Sequence, residues 1–122
     1  MLRAKHFDNI LVGEPAKLAE NIDFLGDAID RKVLFHKKEV SMVQFAFSAE
    51  KGLVTNSSHG DIFVYVTSGS LEIELDGKDM TVNEGEFIIL PEGLPHSVET
   101  DENTRAIFLV VRDKDMDCYP EK

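Results

Sequence analysis

The chain has 122 residues, of which 43% are hydrophobic and 30% are charged, and its formal net charge is −10. These values are typical of one globular domain and exclude a disordered chain, while the negative charge makes nucleic acid and anionic membranes poor partners. With a single cysteine, Cys118, and neither a run of roughly 20 apolar residues nor a signal-peptide pattern, we expect a cytoplasmic protein without an internal disulfide.

The first 37 residues are predicted to form an arm with a short helix. Pro15 suits the first position of a helix over residues 14–21, and Asn21 suits its end. We expect this arm to pack on a single barrel formed by residues 38–112. A polar tail over residues 113–122 completes the chain.

From about residue 31 onward, the sequence predicts about eight strands and almost no helix. Residues 40–47 and 61–67 are rich in β-branched and aromatic side chains, and residues 71–75 alternate between apolar and polar. Asp76 and Gly77 are typical of a two-residue hairpin turn, since both of its positions need a positive φ. Many short strands separated by turns predict an all-β sandwich or barrel.

Residues 85–100 are the most tightly specified part of the chain. A short buried strand over residues 87–90 is followed by a turn rich in proline and glycine, and His96 comes where the next strand begins. His59 lies in a polar loop before another strand. If both loops open at one end of the barrel, His96, His59, Asn56 and Asp61 share a site.

Other chemistry finds little support in the sequence. It contains no His-x-His pair and no His-Glu-x-x-His motif, so the histidines alone do not establish a metal site. Ser57, Ser58, His59 and Asp61 have the residue types of a catalytic triad. Neighbouring residues on one loop seldom reach the geometry of a triad, so we reject the hypothesis of a catalytic triad. No glycine-rich loop for phosphate precedes a helix.

The second half of the chain resembles the cupin superfamily. Gly85, Pro91, Gly93 and His96 match the second cupin motif, Gly-x5-Pro-x-Gly-x2-His-x3-Asn, at every spacing. The final Asn of that motif is Thr100 here.

The first cupin motif, Gly-x5-His-x-His-x3,4-Glu-x6-Gly, is recognisable only at its end. When the motif is aligned on Gly69, its Glu falls on Ile62 and its two histidines fall on Asn56 and Ser58. His59 lies one place out of register. The chain looks most like small single-domain cupins with a degenerate first motif.

The resemblance implies a double-stranded β-helix, or jelly-roll barrel, commonly a homodimer with a ligand pocket at one mouth. Metal-dependent cupins hold iron, manganese, nickel or zinc with three histidines and a glutamate. Here one matching histidine remains, and an apolar side chain replaces the carboxylate. If a divalent metal binds, His96, His59 and either Asn56 or Asp61 are its expected ligands.

Three functions are compatible with this pattern. The first, which we favour, is a metal-poor cupin that binds a small molecule beside His96, with Asn56, Ser58, Ile62 and Val64 lining the pocket. The second is a metal-dependent dioxygenase, isomerase or lyase with a rearranged ligand set. The third is a non-catalytic dimerisation module.

Overall fold

The computed structural model describes residues 2–55 and 59–113. In these ranges a 3₁₀ turn over Leu18–Glu20 precedes nine strands. The strands are β1 (Ile29–His36), β2 (Val40–Phe47), β3 (Gly52–Thr55), β4 (Asp61–Ser68), β5 (Ser70–Leu75), β6 (Lys78–Asn83), β7 (Phe87–Leu90), β8 (His96–Glu99) and β9 (Thr104–Val111). No helix of the described ranges is long and apolar enough to cross a membrane.

The strands form two antiparallel sheets that enclose one core. The larger sheet has the order β1-β2-β9-β4-β7, and the smaller has the order β3-β8-β5-β6. Distant strands are interleaved, since β9 lies between β2 and β4 and β8 lies between β3 and β5. Val64 and Phe108 of the larger sheet join Leu71 and Val98 of the smaller in one apolar cluster. This arrangement is the predicted jelly-roll barrel.

Strand β4 shows how the sequence pattern builds that core. Ile62, Val64 and Val66 are buried, while Asp61 at the start of the strand is exposed. Because successive side chains of a strand point to opposite faces, the three apolar residues share the inner face. Each of these buried side chains stabilises the fold by roughly 1.5–3 kcal/mol.

The turn between β5 and β6 matches its prediction, whereas strand β3 was not predicted. Asp76 and Gly77 have φ values of 52° and 84°, and they join β5 to β6 as predicted. The sequence gives no signal for β3, since it begins at a glycine, Gly52, and ends at Thr55, where a polar segment starts. This strand forms because it pairs with β8 along the edge of the smaller sheet.

The helix predicted over residues 14–21 is wrong except for the turn at Leu18–Glu20. Isolated helices of this length are unstable in water. Side chains of the strands instead donate hydrogen bonds to carbonyl groups of the arm. Gln44 Nε2 donates to the Leu18 carbonyl at 2.7 Å, and Arg105 Nε donates to the Ile22 carbonyl at 2.7 Å. The arm therefore packs on the outer face of the larger sheet.

Strand β1 lies within the segment that the sequence assigned to the arm. It pairs with β2 from Ile29 to His36, so the larger sheet begins well before residue 38. The backbone N–H of Asp8 donates to the Leu34 carbonyl at 2.8 Å and attaches the start of the chain to this strand. Residues 114–122 of the predicted tail, including Cys118, lie outside the described residues.

Candidate ligand-binding site at the barrel mouth

One end of the barrel brings together the β7–β8 turn and the starts of β4 and β8. Asp61 Oδ1 accepts a hydrogen bond from the backbone N–H of Glu92 at 2.8 Å, which fixes the turn to β4. The Pro95 carbonyl accepts from the N–H of Asp76 at 3.1 Å, which fixes the end of that turn to the β5–β6 hairpin. These two hydrogen bonds position His96 as the first residue of β8.

The glycines of the second cupin motif take the backbone conformations that the turns before and after β7 require. Gly85 and Gly93 have φ values of 84° and 87°, a region that other residues rarely adopt. Thr100, in place of the motif's Asn, is buried and bonds Thr104 Oγ1 at 2.9 Å. Its Oγ1 also accepts from the N–H of Glu102 at 3.0 Å. Thr100 therefore holds the β8–β9 turn rather than contributing to a ligand site.

His96 is buried between two neighbouring strands. It pairs with Thr55 of β3 and Leu75 of β5, and only 7% of its surface is exposed. Its Nδ1 atom is buried and has no hydrogen-bond partner in the described part of the protein. Burial lowers the pKa of His96, and the neighbouring backbone of Leu94 offsets part of that effect. The imidazole is therefore neutral at pH 7.

His96 lines a cavity of about 210 Å³ between the two sheets. Among the described residues, the others that line it are all apolar: Val43, Phe45, Leu53, Ile62, Val98, Phe108 and Val110. Within this wall Phe45 and Phe108 form an edge-to-face pair with ring centroids 4.8 Å apart. Such a wall, apolar with one polar side chain, is typical of small-molecule pockets. Two larger grooves lie elsewhere on the described surface, and neither is lined by a histidine.

The residues predicted to bind a ligand occupy different positions. Ile62 lines the cavity together with His96. Val64 follows it on the inner face of β4, where it is fully buried in the core and does not line the cavity. Asn56 and Ser58 lie outside the described residues.

The two other predicted metal ligands are not brought to the cavity. Asp61 is exposed on the face of β4 opposite Ile62, and its carboxylate accepts the hydrogen bond from Glu92. His59 is exposed and does not line the cavity. The structure thus joins His96 with Ile62, and it separates them from His59 and Asp61.

The described donors do not fit the ligand set of a metal-dependent cupin. Of the four aligned positions, Ile62 and His96 are described, and Ile62 is a hydrocarbon that cannot coordinate a metal. Residues 2–55 and 59–113 contain no group of three or more His, Cys, Asp or Glu side chains that could hold an ion. One neutral imidazole in an apolar wall lacks the negative charge that would offset a divalent cation.

Most of the cavity wall was missed by sequence reasoning. Phe45 and Val43 lie on β2, Phe108 and Val110 on β9, and Leu53 on β3. Each is an ordinary apolar strand residue, so none stands out by type. For Val43, Phe45, Phe108 and Val110 the available signal is the two-residue period of β2 and β9, which places them on the inner face once β2 pairs with β9 and β9 pairs with β4.

Comparison with known proteins identifies the family. Residues 49–112, more than half of the chain, match the Cupin_2 family, described as cupin domain. The chain belongs to this cupin family. No curated protein matches the sequence.

Solved structures of cupins share this fold. A conserved protein of unknown function from Streptococcus pyogenes superposes with a TM-score of 0.85 at 24% identity, covering 90% of this chain and 96% of its own. A cupin superfamily protein from Desulfitobacterium hafniense gives 0.83 at 16% identity, with coverages of 88% and 98%. A cupin 2 conserved barrel domain protein from Leptotrichia buccalis gives 0.75 at 31% identity over 78% of this chain and 46% of its own.

Proposed function

We propose that this cupin binds a small molecule in the cavity beside His96, without a full metal site. The observation that carries the proposal is the buried Nδ1 atom of His96, which has no partner among the described residues. Leaving such a group without a partner costs about 1–3 kcal/mol. A ligand that enters the cavity and bonds this nitrogen removes that cost.

The shape and chemistry of the cavity support the same function. Seven apolar side chains surround the imidazole, so a ligand gains affinity by removing apolar surface from water. His96 then fixes its orientation through a single hydrogen bond. Sensing, transport and a metal-independent reaction are the roles that such a site serves.

A pair of variants on β3 tests whether ligands use this cavity. Leu53 lines the cavity, whereas its neighbour Val54 points outward and is 80% exposed. We expect neutral single-ring molecules to raise the melting temperature of the wild type and of Val54→Trp. The Leu53→Trp variant, in which the indole fills the cavity, loses this response. Circular dichroism verifies that both variants fold, and a response that survives in Leu53→Trp contradicts the proposal.

The metal-dependent alternative is tested by elemental analysis. Protein purified without an affinity tag is incubated with manganese, iron, nickel or zinc, and the His96→Leu variant is treated in parallel. We expect no stoichiometric metal whose retention depends on His96, because the Ile62 position supplies no carboxylate. A stoichiometric ion that His96→Leu loses would replace our proposal with a metal-dependent enzyme.

A further inference from the structure

We propose that the ligand is an uncharged molecule the size of one substituted aromatic ring, with a hydroxyl group that bonds His96 Nδ1. This inference rests on the proposed function and adds the chemical class of the ligand. Four observations carry it: the cavity volume, its aromatic wall, the lack of a charged side chain among the described lining residues, and the buried, unpartnered Nδ1 of His96, the one polar residue among them.

The volume sets the size of the ligand. An apolar cavity of about 150 Å³ is known to bind benzene, and this cavity has a volume of about 210 Å³. It therefore accommodates one ring with one or two small substituents. A nucleotide or a disaccharide is too large to enter it whole.

The wall favours an aromatic ring. Phe45 and Phe108 lie at an interplanar angle of 60°, so the wall presents both a ring face and a ring edge. Aromatic pairs in offset or edge-to-face arrangements gain about 0.5–1.5 kcal/mol beyond the area that they bury. A flat ligand ring can make either contact, which an aliphatic chain of the same volume cannot.

The lining residues include no charged side chain. In the described part of the protein, one other buried side-chain nitrogen lacks a partner, Nε of Arg112. That guanidinium donates through Nη2 to the Lys37 carbonyl and the Ser41 hydroxyl, and it does not line the cavity. A carboxylate in the cavity would thus be buried without a counter-charge, which is strongly unfavourable.

A hydroxyl group suits the buried nitrogen better than a group that can only donate or only accept a hydrogen bond. A neutral imidazole has one nitrogen that donates and one that accepts. A hydroxyl can both donate and accept, so it pairs with Nδ1 in either tautomer. An ether or a thioether could only accept.

Three probes of nearly equal shape test this inference: p-cresol, p-xylene, which has a methyl group in place of the hydroxyl, and 4-methylbenzoate, which carries a charge. Their dissociation constants are measured by NMR titration on the wild type and on His96→Leu. The ratio of affinities for p-cresol over p-xylene should be roughly three- to tenfold higher in the wild type than in the variant, as a net hydrogen bond requires. Comparing ratios cancels the different hydrophobicity of the probes and any general loosening of the variant.

The outcomes separate this inference from the proposed function. Equal ratios in both proteins overturn the role of His96 in selecting the ligand while leaving a cavity that binds apolar molecules. Binding of 4-methylbenzoate as tight as that of p-cresol overturns the exclusion of charge. If none of the probes binds, both the inference and the proposed function fail.

Discussion

The imidazole of His96 combines two properties that rarely occur together in a protein interior. It is buried in an apolar wall, and one of its nitrogens has no partner among the described residues. Natural proteins satisfy nearly all buried polar groups, so an exception calls for an explanation such as a ligand. Ile62 strengthens this explanation, because it replaces a metal-binding carboxylate by an apolar surface.

The lowered pKa of His96 predicts how stability depends on pH. A base with a lower pKa in the folded state than its ordinary value of 6.5 binds protons more readily when the chain unfolds. Its contribution is fully present above that value and is lost as the pH falls below it. We expect the unfolding free energy of the wild type to fall more steeply than that of His96→Leu between about pH 7.5 and about pH 5.

Urea denaturation at each pH measures both curves. The variant keeps every other titrating group, so the difference between the curves isolates His96. Parallel curves would show that the imidazole is as easily protonated in the folded protein as in the unfolded one.

Two glycines with nearly equal positive φ angles allow the cost of a left-handed φ to be separated from the cost of a steric overlap. Gly69 and Gly77 have φ values of 83° and 84°. A Cβ atom at Gly69 would lie 2.5 Å from Thr104 Oγ1 and 2.6 Å from the Asn103 carbonyl oxygen, whereas one at Gly77 meets nothing within 4 Å. We expect Gly77→Ala to cost about 1–2 kcal/mol from the left-handed conformation alone. Gly69→Ala should cost about 1–3 kcal/mol more because the methyl group overlaps its neighbours.

Unfolding in urea gives both free energies. Since both substitutions place an alanine at nearly the same positive φ, Gly77→Ala serves as the control for Gly69→Ala. Equal losses of stability would mean that the β4–β5 turn can move away from Thr104.

Among the structural elements, the N-terminal arm depends on a buried glutamine. Gln44 is fully buried on the outer face of β2, accepts from Asn21 Nδ2 at 2.8 Å and donates to the Leu18 carbonyl. Removing its amide breaks both bonds, although the Leu18 carbonyl still accepts from the backbone N–H of Asn21 at 3.1 Å. We expect Gln44→Ala to lower the unfolding free energy by about 2–3 kcal/mol and to expose the arm to limited proteolysis.

Thr81→Ala is the matched control, since Thr81 makes an exposed hydrogen bond with Glu72 on the smaller sheet. It should change stability by less than about 0.5 kcal/mol. If Gln44→Ala behaves like this control, the hydrogen bonds to the arm contribute nothing to the stability of the fold.

The strands differ in how far the sequence could predict them. β2 and β7 have the predicted bounds because polar or turn residues flank each apolar run, but Phe87 and Ile89 of β7 are exposed where the sequence predicts a buried strand. β3 has only four residues and begins at Gly52, so its pairing with β8 decides its structure. The residues before position 32 in β1 lack a strand pattern, and their pairing with β2 supplies the missing stabilisation.

The site was predictable only where a motif marks it. His96 and Ile62 were identified because the cupin motifs place them by spacing. Val43, Phe45 and Phe108 become neighbours only through pairing of β2 with β9, which are far apart in the chain. Such long-range pairing cannot be derived from the local pattern of a single sequence, so the wall of the cavity required the structure.

On the scale of the whole molecule, the larger sheet has an exposed apolar edge. Phe63 and Phe87 stack with ring centroids 5.2 Å apart, while Phe87 is 60% exposed and Ile89 is 45% exposed. The same edge borders a groove of about 550 Å³ between β6 and β7. Exposed apolar surface of this kind marks interaction sites. We propose that it contributes to the homodimer interface that the cupin resemblance implies.

Sedimentation equilibrium tests this assignment. We expect the wild type to be a dimer and Phe87→Glu to dissociate at least about tenfold more readily, because a buried carboxylate is costly in an apolar interface. Val54→Glu adds the same charge at an exposed site on the smaller sheet and should leave the dimer intact. A monomeric wild type, or equal dissociation of both variants, would contradict the proposal.

The most direct test of a small-molecule site is an NMR titration of protein labelled at isoleucine, leucine and valine methyl groups with p-cresol. We predict that the signals of Ile62, Leu53 and Val98, which line the cavity, shift with a single dissociation constant. Those of the exposed Val54 and Val111 should stay in place. Shifts confined to exposed methyl groups, or none at all, would contradict ligand binding in the cavity.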